Sequence, residues 1–192
     1  YLSNATGRNN GGGGDPALAV GAGANATAGG ATAIGMVANA SNTYATAIGK
    51  SAAASGDSSI AIGQNTKATQ EKAIAIGDTS QATNIGATAL GRSSEATGSL
   101  ATALGSLASA TGTTATAVGM QASASGSESL AIGNTASATS GRALAVGTNA
   151  KATGASSVAV GSGAGNSGPL GFASSINSLG SVVNSLKTIN YA

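Results

Sequence analysis

Eleven glycines, Gly21, Gly35, Gly49, Gly63, Gly77, Gly91, Gly105, Gly119, Gly133, Gly147 and Gly161, recur at one constant spacing of fourteen without a slip in register. Each closes a phrase of one type, such as Thr32-Ala33-Ile34-Gly35, Ile60-Ala61-Ile62-Gly63 or Val158-Ala159-Val160-Gly161. A fixed period of this kind means that each repeat is one small unit unable to bury its own apolar face, so that copies must stack. The chain reads as an array of coils and not as a domain wrapped around one core.

Composition supports that reading. Of 192 residues one is Phe, three are Tyr and none is Trp, and the apolar share is mostly Ala. The 31 glycines add backbone freedom that folding must remove, which weighs against an isolated compact core. Eight Lys and Arg face six Asp and Glu with no run of like charge, so the basic stripe that nucleic acid requires is missing. The sequence has no Cys and no His, which removes disulfides, thiolate chemistry, the commonest general base and the commonest metal ligand. The expectation is therefore no enzyme, no catalytic or metal residue, no cofactor and no nucleic-acid partner. No apolar run approaches the roughly 20 residues of a membrane-spanning helix and no leader is evident. The chain as given is expected to be soluble, and its beginning at Tyr1 and end at Ala192 read as those of a fragment of a longer protein.

With the closing glycine as position zero, the other slots sort by physical type. Position 13 is always branched and apolar: Val20, Ile34, Ile48, Ile62, Ile76, Leu90, Leu104, Val118, Ile132, Val146 and Val160. Position 12 is always Ala, and position 11 is either Thr or a large aliphatic residue. Positions 11 and 13 share one face of a strand, whereas positions 10 and 12, Ala or Ser throughout, share the other. In the other half of the repeat, position 5 is Ala, position 3 is Ala, Ser or Thr, and position 6 is Ser or Thr from Thr27 to Thr153. Position 7 is a turn mixture in which Gly56, Gly98, Gly112, Gly126 and Gly154 recur. The charges of the repeats, Lys50, Asp57, Lys67, Glu71, Lys72, Asp78, Arg92, Glu95, Glu128, Arg142 and Lys151, fall only at positions 1, 4, 8 and 9, which must face water.

The period predicts an all-β parallel solenoid of about eleven coils, stacked about 4.8 Å apart into a rod roughly 50 Å long. A helical reading fails because the apolar pattern is a short alternation bounded by Gly. So short a coil brings its opposed strands so close that only small side chains fit between them, which favours Ala and Ser at positions 3, 5, 10 and 12. Positions 11 and 13 then point outward as a continuous aliphatic stripe, longer than soluble monomers expose. Burying one such side chain contributes roughly 1.5 to 3 kcal/mol, so the eleven at position 13 could supply on the order of 20 kcal/mol per chain on association. The rod is expected to be an obligate homo-oligomer with position 13 in its core. The opposite assignment, Ile inside and Ala outside, gives a monomeric solenoid.

The repeated Ala-[Ile/Leu/Val]-Gly phrase, with Ala and Ser or Thr at fixed slots between, resembles the heads of the trimeric autotransporter adhesins, the YadA-like family of Gram-negative bacteria. The resemblance covers residues 17 to about 165. It implies a left-handed parallel β-roll, a homotrimer, and display on the bacterial cell surface, with outer-membrane anchoring through a C-terminal part outside this chain. It also implies attachment to host extracellular matrix, such as collagen, fibronectin or laminin, or to host cell receptors, and autoaggregation. No ligand-contact residue follows from it. The alternatives are a structural spacer without a ligand and an ice-binding solenoid that uses the Ser/Thr ladder at position 6.

Three segments are expected. Residues 1 to 16, rich in Asn and Gly, form a flexible lead; residues 17 to 165 form the β-roll head; and residues 166 to 192 form a capping or linker segment. In the last, Ile176, Leu179, Val183 and Leu186 follow a 3-4-3 spacing that reads as a short helix or incipient coiled coil, and a terminal cap fits equally. The neck motif common after such heads is not evident after Gly161. Gly161-Ser162-Gly163-Ala164-Gly165 lacks the Lys and the βαβ setting of a phosphate loop.

Overall fold

The computed structural model describes residues 16–168 and 172–174. Within them every regular element is a β-strand, numbered in chain order from β1 (Leu18–Val20) and β2 (Asn25–Ala26) to β21 (Val158–Val160), β22 (Gly165–Asn166) and β23 (Phe172–Ser174). Strands of three residues alternate with strands of two, and the two kinds segregate into a 12-stranded and an 11-stranded sheet. Each strand pairs in parallel with its copy one repeat on, as Leu18 with Thr32 and Asn25 with Asn39. The architecture is an all-β parallel solenoid of eleven two-stranded coils closed by one further strand.

The coil is narrow because its filling is Ala. Position 12 from Ala33 to Ala159 and position 5 from Ala26 to Ala152 are fully buried. The aliphatic residues at position 13 all retain exposure, as high as 41% at Leu90. The large residues therefore point out and the small ones in, which excludes the monomeric assignment with Ile inside. Burial of Ala alone yields little per residue, so most of the order comes from backbone bonds between coils. The Leu18 amide donates to the Ala31 carbonyl at 2.8 Å, the Gly35 amide to the Val20 carbonyl at 2.8 Å, and the same bonds recur up the rod.

Where a Ser or Thr replaces Ala inside, its hydroxyl finds a turn carbonyl. Ser59 donates to Gly56 at 2.7 Å, Ser94 to Gly91 at 2.9 Å, Ser129 to Gly126 at 2.6 Å, and Thr66 to Gly77 at 2.6 Å. Ser157, equally buried, makes no side-chain hydrogen bond.

Two turns join the strands of each coil, and they explain the glycine period. At position zero the backbone takes φ between 121° and 141°, a region hostile to L side chains. A Cβ added to Gly21 would also lie 2.5 Å from the carbonyl oxygen of Gly35 in the next coil, and at Gly63 the same clash arises with Gly77. Conformation and stacking distance thus both demand glycine at each level from Gly21 to Gly147. Two residues later the chain enters the left-handed region, and it does so again seven residues on. The series Val37, Tyr44, Ser51, Ser58, Asn65, Lys72 and Thr79 has φ between 53° and 58°, and it continues to Ser156. The backbone period is thus half the sequence period.

The parallel sheet continues past the last closing glycine. β23 pairs with β21 in the established register, Val158 with Phe172 and Val160 with Ser174, although Ser175 stands where the next closing glycine would fall. The helical spacing from Ile176 to Leu186 lies outside the described residues.

Candidate functional site

Alternation within each strand gives the rod two flanks of opposite character. Positions 11 and 13 project from the three-residue strands, and positions 4 and 6 lie on or beside the two-residue strands. The first flank is a file of aliphatic side chains in which Val20, Ile34, Ile48, Ile62, Ile76, Leu90, Leu104, Val118, Ile132, Val146 and Val160 stand one above another. Their strands pair directly: Ile34 with Ile48, Ile62 with Ile76, Leu104 with Val118, and Ile132 with Val146. No charged residue lies on this flank.

The second flank is polar. Position 4 runs Asn25, Asn39, Ala53, Lys67, Gln81, Glu95 and then Ser109, Ser123 and Ser137. Asn25 donates through Nδ2 to Asn39 Oδ1 at 3.1 Å, a side-chain ladder between coils. The hydroxyls at position 6 lie at or near the surface, and Thr27 donates to the Ser41 carbonyl at 3.3 Å. All eleven charged residues of the repeats are exposed, in agreement with the slots assigned to water.

Charge is gathered in the coils between Lys50 and Glu95, and its signs alternate closely enough to cancel. The Lys72 ammonium lies 2.8 Å from a Glu71 carboxylate oxygen. Their hydrogen bond, and secondly their opposite charge, hold the Glu71 carboxyl below its ordinary range and the Lys72 ammonium above its own. Both groups are exposed, so the pair adds little to stability. Lys67 takes no part in it. No group of three or more His, Cys, Asp or Glu capable of holding a metal occurs among the described residues.

Sequence reasoning overlooked the apolar side chains on the corners. Met36, Val37, Leu107 and Met120 occupy positions 1 and 2, and Tyr44, Ile85 and Leu100 occupy positions 8 and 9; all are exposed. Several cover a glycine of the coil before. A Cβ on Gly86 would meet Leu100 Cδ2 at 2.7 Å, and one on Gly30 would strike the Tyr44 ring. Pairing each corner residue with its counterpart one repeat earlier would have revealed this glycine-under-bulk pattern.

Both flanks repeat with the glycine period, and the family model for the YadA head domain repeat matches the chain over 13–38, 40–66, 68–94, 96–122, 124–149 and 138–164. The chain belongs to the YadA head repeat family. These are heads of adhesin type, and they are displayed on the surface by outer-membrane-anchored autotransporters. Among solved structures, the crystal structure of the collagen-binding domain of Yersinia adhesin YadA is similar at 24% identity, over 88% of this chain and 78% of that one, with a TM-score of 0.45. The family assignment rests on the repeats and not on that likeness. No curated protein sequence matches the chain.

Proposed function

We propose that this chain is the binding head of a bacterial surface adhesin. It works as a left-handed, homotrimeric rod in which the flank from Val20 to Val160 forms the common core. One observation carries the reading: the interior is filled by Ala, so among the described residues the extended apolar surface points outward, uninterrupted from Val20 to Val160. An uncharged stripe of that extent calls for a covering partner, and copies of the same chain supply one of equal length and equal spacing. With that flank buried, three polar flanks and their corners remain outside. Each coil then offers the same small set of contacts many times over, so weak contacts accumulate by avidity.

The targets proposed from the family are host extracellular-matrix proteins, namely collagen, fibronectin or laminin, or host cell receptors, with autoaggregation as a related outcome. The rod would be held at the cell surface by an outer-membrane anchor C-terminal to this chain. Two measurements test the reading. Light scattering of the purified chain is expected to give three times its 17.6 kDa, and a monomer with intact β circular dichroism would refute the trimer. Solid-phase binding to immobilised matrix proteins is expected to saturate. A trimer that binds no matrix protein and no host cell would instead be a spacer.

A further inference from the structure

The aliphatic flank is nearly the same at every level, and that creates a difficulty for any assembly of identical rods. A stripe repeating every coil can slide by one coil and bury almost the same area. Position 13 cannot prevent this, because it is aliphatic at every level. The interior cannot, because it is Ala throughout the described coils apart from a few hydroxyls. Charge cannot, because every charged residue of the repeats lies at position 1, 4, 8 or 9, off the flank.

Position 11 is different, because it changes character in blocks. From the first coil upward it reads Leu18; Thr32 and Thr46; Ile60 and Ile74; Thr88, Thr102 and Thr116; then Leu130, Leu144 and Val158. The blocks have unequal lengths, so no shift of a few coils superposes the series on itself. Except for exposed Leu18 at the first coil, these side chains are half-buried in the single chain and stand beside the position 13 file, where a covering partner would enclose them.

We infer that position 11 sets the axial register in which copies of this chain associate, with Thr meeting Thr and aliphatic meeting aliphatic at each height. The inference rests on the homotrimer reading above. In register, each enclosed hydroxyl has other Thr hydroxyls at its own level as partners, and bulky levels pack against bulky levels. A slip of one coil sets Leu18 against Thr32, Thr46 against Ile60, Ile74 against Thr88 and Thr116 against Leu130. Each such level covers a hydroxyl with hydrocarbon and leaves it without a partner, the costly case for a buried polar group. The block pattern therefore acts against misalignment, as polar residues in helical zippers do.

The test uses a variant in which two blocks are exchanged, Thr32→Ile, Thr46→Ile, Ile60→Thr and Ile74→Thr together, so that no slip of a few coils brings its pattern into match with the original. Its composition on the flank is unchanged and each of its levels is still matched in a homotrimer, so it should trimerise alone as the original does. The two chains, one carrying a mass tag, are unfolded together in equal amounts, refolded and weighed by native mass spectrometry. The expected result is sorting, with mixed trimers depleted about tenfold or more relative to the two homotrimers. Random mixing, in which mixed trimers predominate, would overturn the inference and leave the trimer standing. Failure of the variant to trimerise alone would also overturn it, since level-matched chains are required to assemble. Monomer mass for the original chain would overturn both readings.

Discussion

Each coil is built twice over from nearly the same backbone. Positions 0 to 6 and positions 7 to 13 each run through a turn, a left-handed residue two places on, and a strand whose inward side chains are small. The turns even share a bond: the Ala24 amide donates to the Gly21 carbonyl at 3.2 Å, and the Ala31 amide to the Ala28 carbonyl at 3.1 Å. The halves differ in what they present outward, since one shows Ile, Leu, Val and Thr and the other shows Ser, Thr, Asn and charge. Fold and association are thus written at separate positions. Inward slots and turns make the coil, whereas the outward slots of one half form the flank proposed as the trimer core.

The largest effect should come from erasing that difference. Ile62→Asp with Ile76→Asp puts adjacent charges on the apolar flank, each replacing a side chain whose burial contributes roughly 1.5 to 3 kcal/mol. Monomer or unfolded protein is expected by light scattering and circular dichroism. Thr69→Asp with Thr83→Asp puts the same charges on the other half of the same coils, where mass should not change. Equal tolerance of the two pairs would break the assignment of flanks.

Next in size is the turn. Gly63→Ala demands a side chain at φ +133 against the Gly77 carbonyl, and a loss of about 3 kcal/mol or more is expected in denaturant unfolding. Gly141, on the opposite turn, has nothing nearer a new Cβ than 3.8 Å and takes no left-handed backbone. Gly141→Ala should range from neutral to about 1 kcal/mol stabilising.

A finer probe asks whether the halves are equivalent inside. Ser94→Ala at position 3 and Ser129→Ala at position 10 each remove one buried hydroxyl bonded to a turn carbonyl, and both should cost about 1 kcal/mol. Ser157→Ala removes a hydroxyl with no partner, so its sign should reverse, with a gain of about 1 kcal/mol. Unequal costs for Ser94 and Ser129 would show that the halves differ inside as well as out.

The smallest effect belongs to the Glu71–Lys72 pair. Because the Glu71 value is lowered, its contribution is present above the ordinary carboxylate range and is lost as pH falls through the lowered value. Because the Lys72 value is raised, its contribution is present below the ordinary lysine range and is lost as pH rises through the raised value. With no His and no Cys in the sequence, the melting temperature should stay flat through the neutral range and change only slightly at these extremes. Lys72→Ala should be nearly silent at neutral pH.

Much of this was legible in the sequence, and for a definable reason. The glycine slot, the inward Ala at positions 5 and 12 and the outward aliphatic position 13 each admit one narrow class of residue, so their period shows directly. The seven-residue backbone period did not show, because its left-handed slots hold residues as unlike as Val37, Tyr44, Leu107 and Arg142. Sequence usually betrays that conformation by Gly or Asn. Here bonds from the coil before impose it: the Val37 amide donates to the Ala22 carbonyl at 2.9 Å and the Tyr44 amide to the Gly29 carbonyl at 2.9 Å. The last strand, β23, escaped notice for a related reason. Pairing with β21 extends the sheet, and the glycine that marks every earlier coil is not needed for it.

The alanine interior has one more consequence, for how the rod is made. Side chains that end at Cβ have no rotamers and scarcely any shape, so coils filled with them give one another nothing specific to recognise. A coil laid on the wrong neighbour would meet the same surface as on the right one. What singles out the right neighbour is the shortness of the chain leading to it, since looping out a coil costs closure entropy while docking the next one does not. Such a rod is assembled the way a rope is coiled, each turn placed by the one beside it, and the connectivity of the chain becomes part of the instructions for its structure.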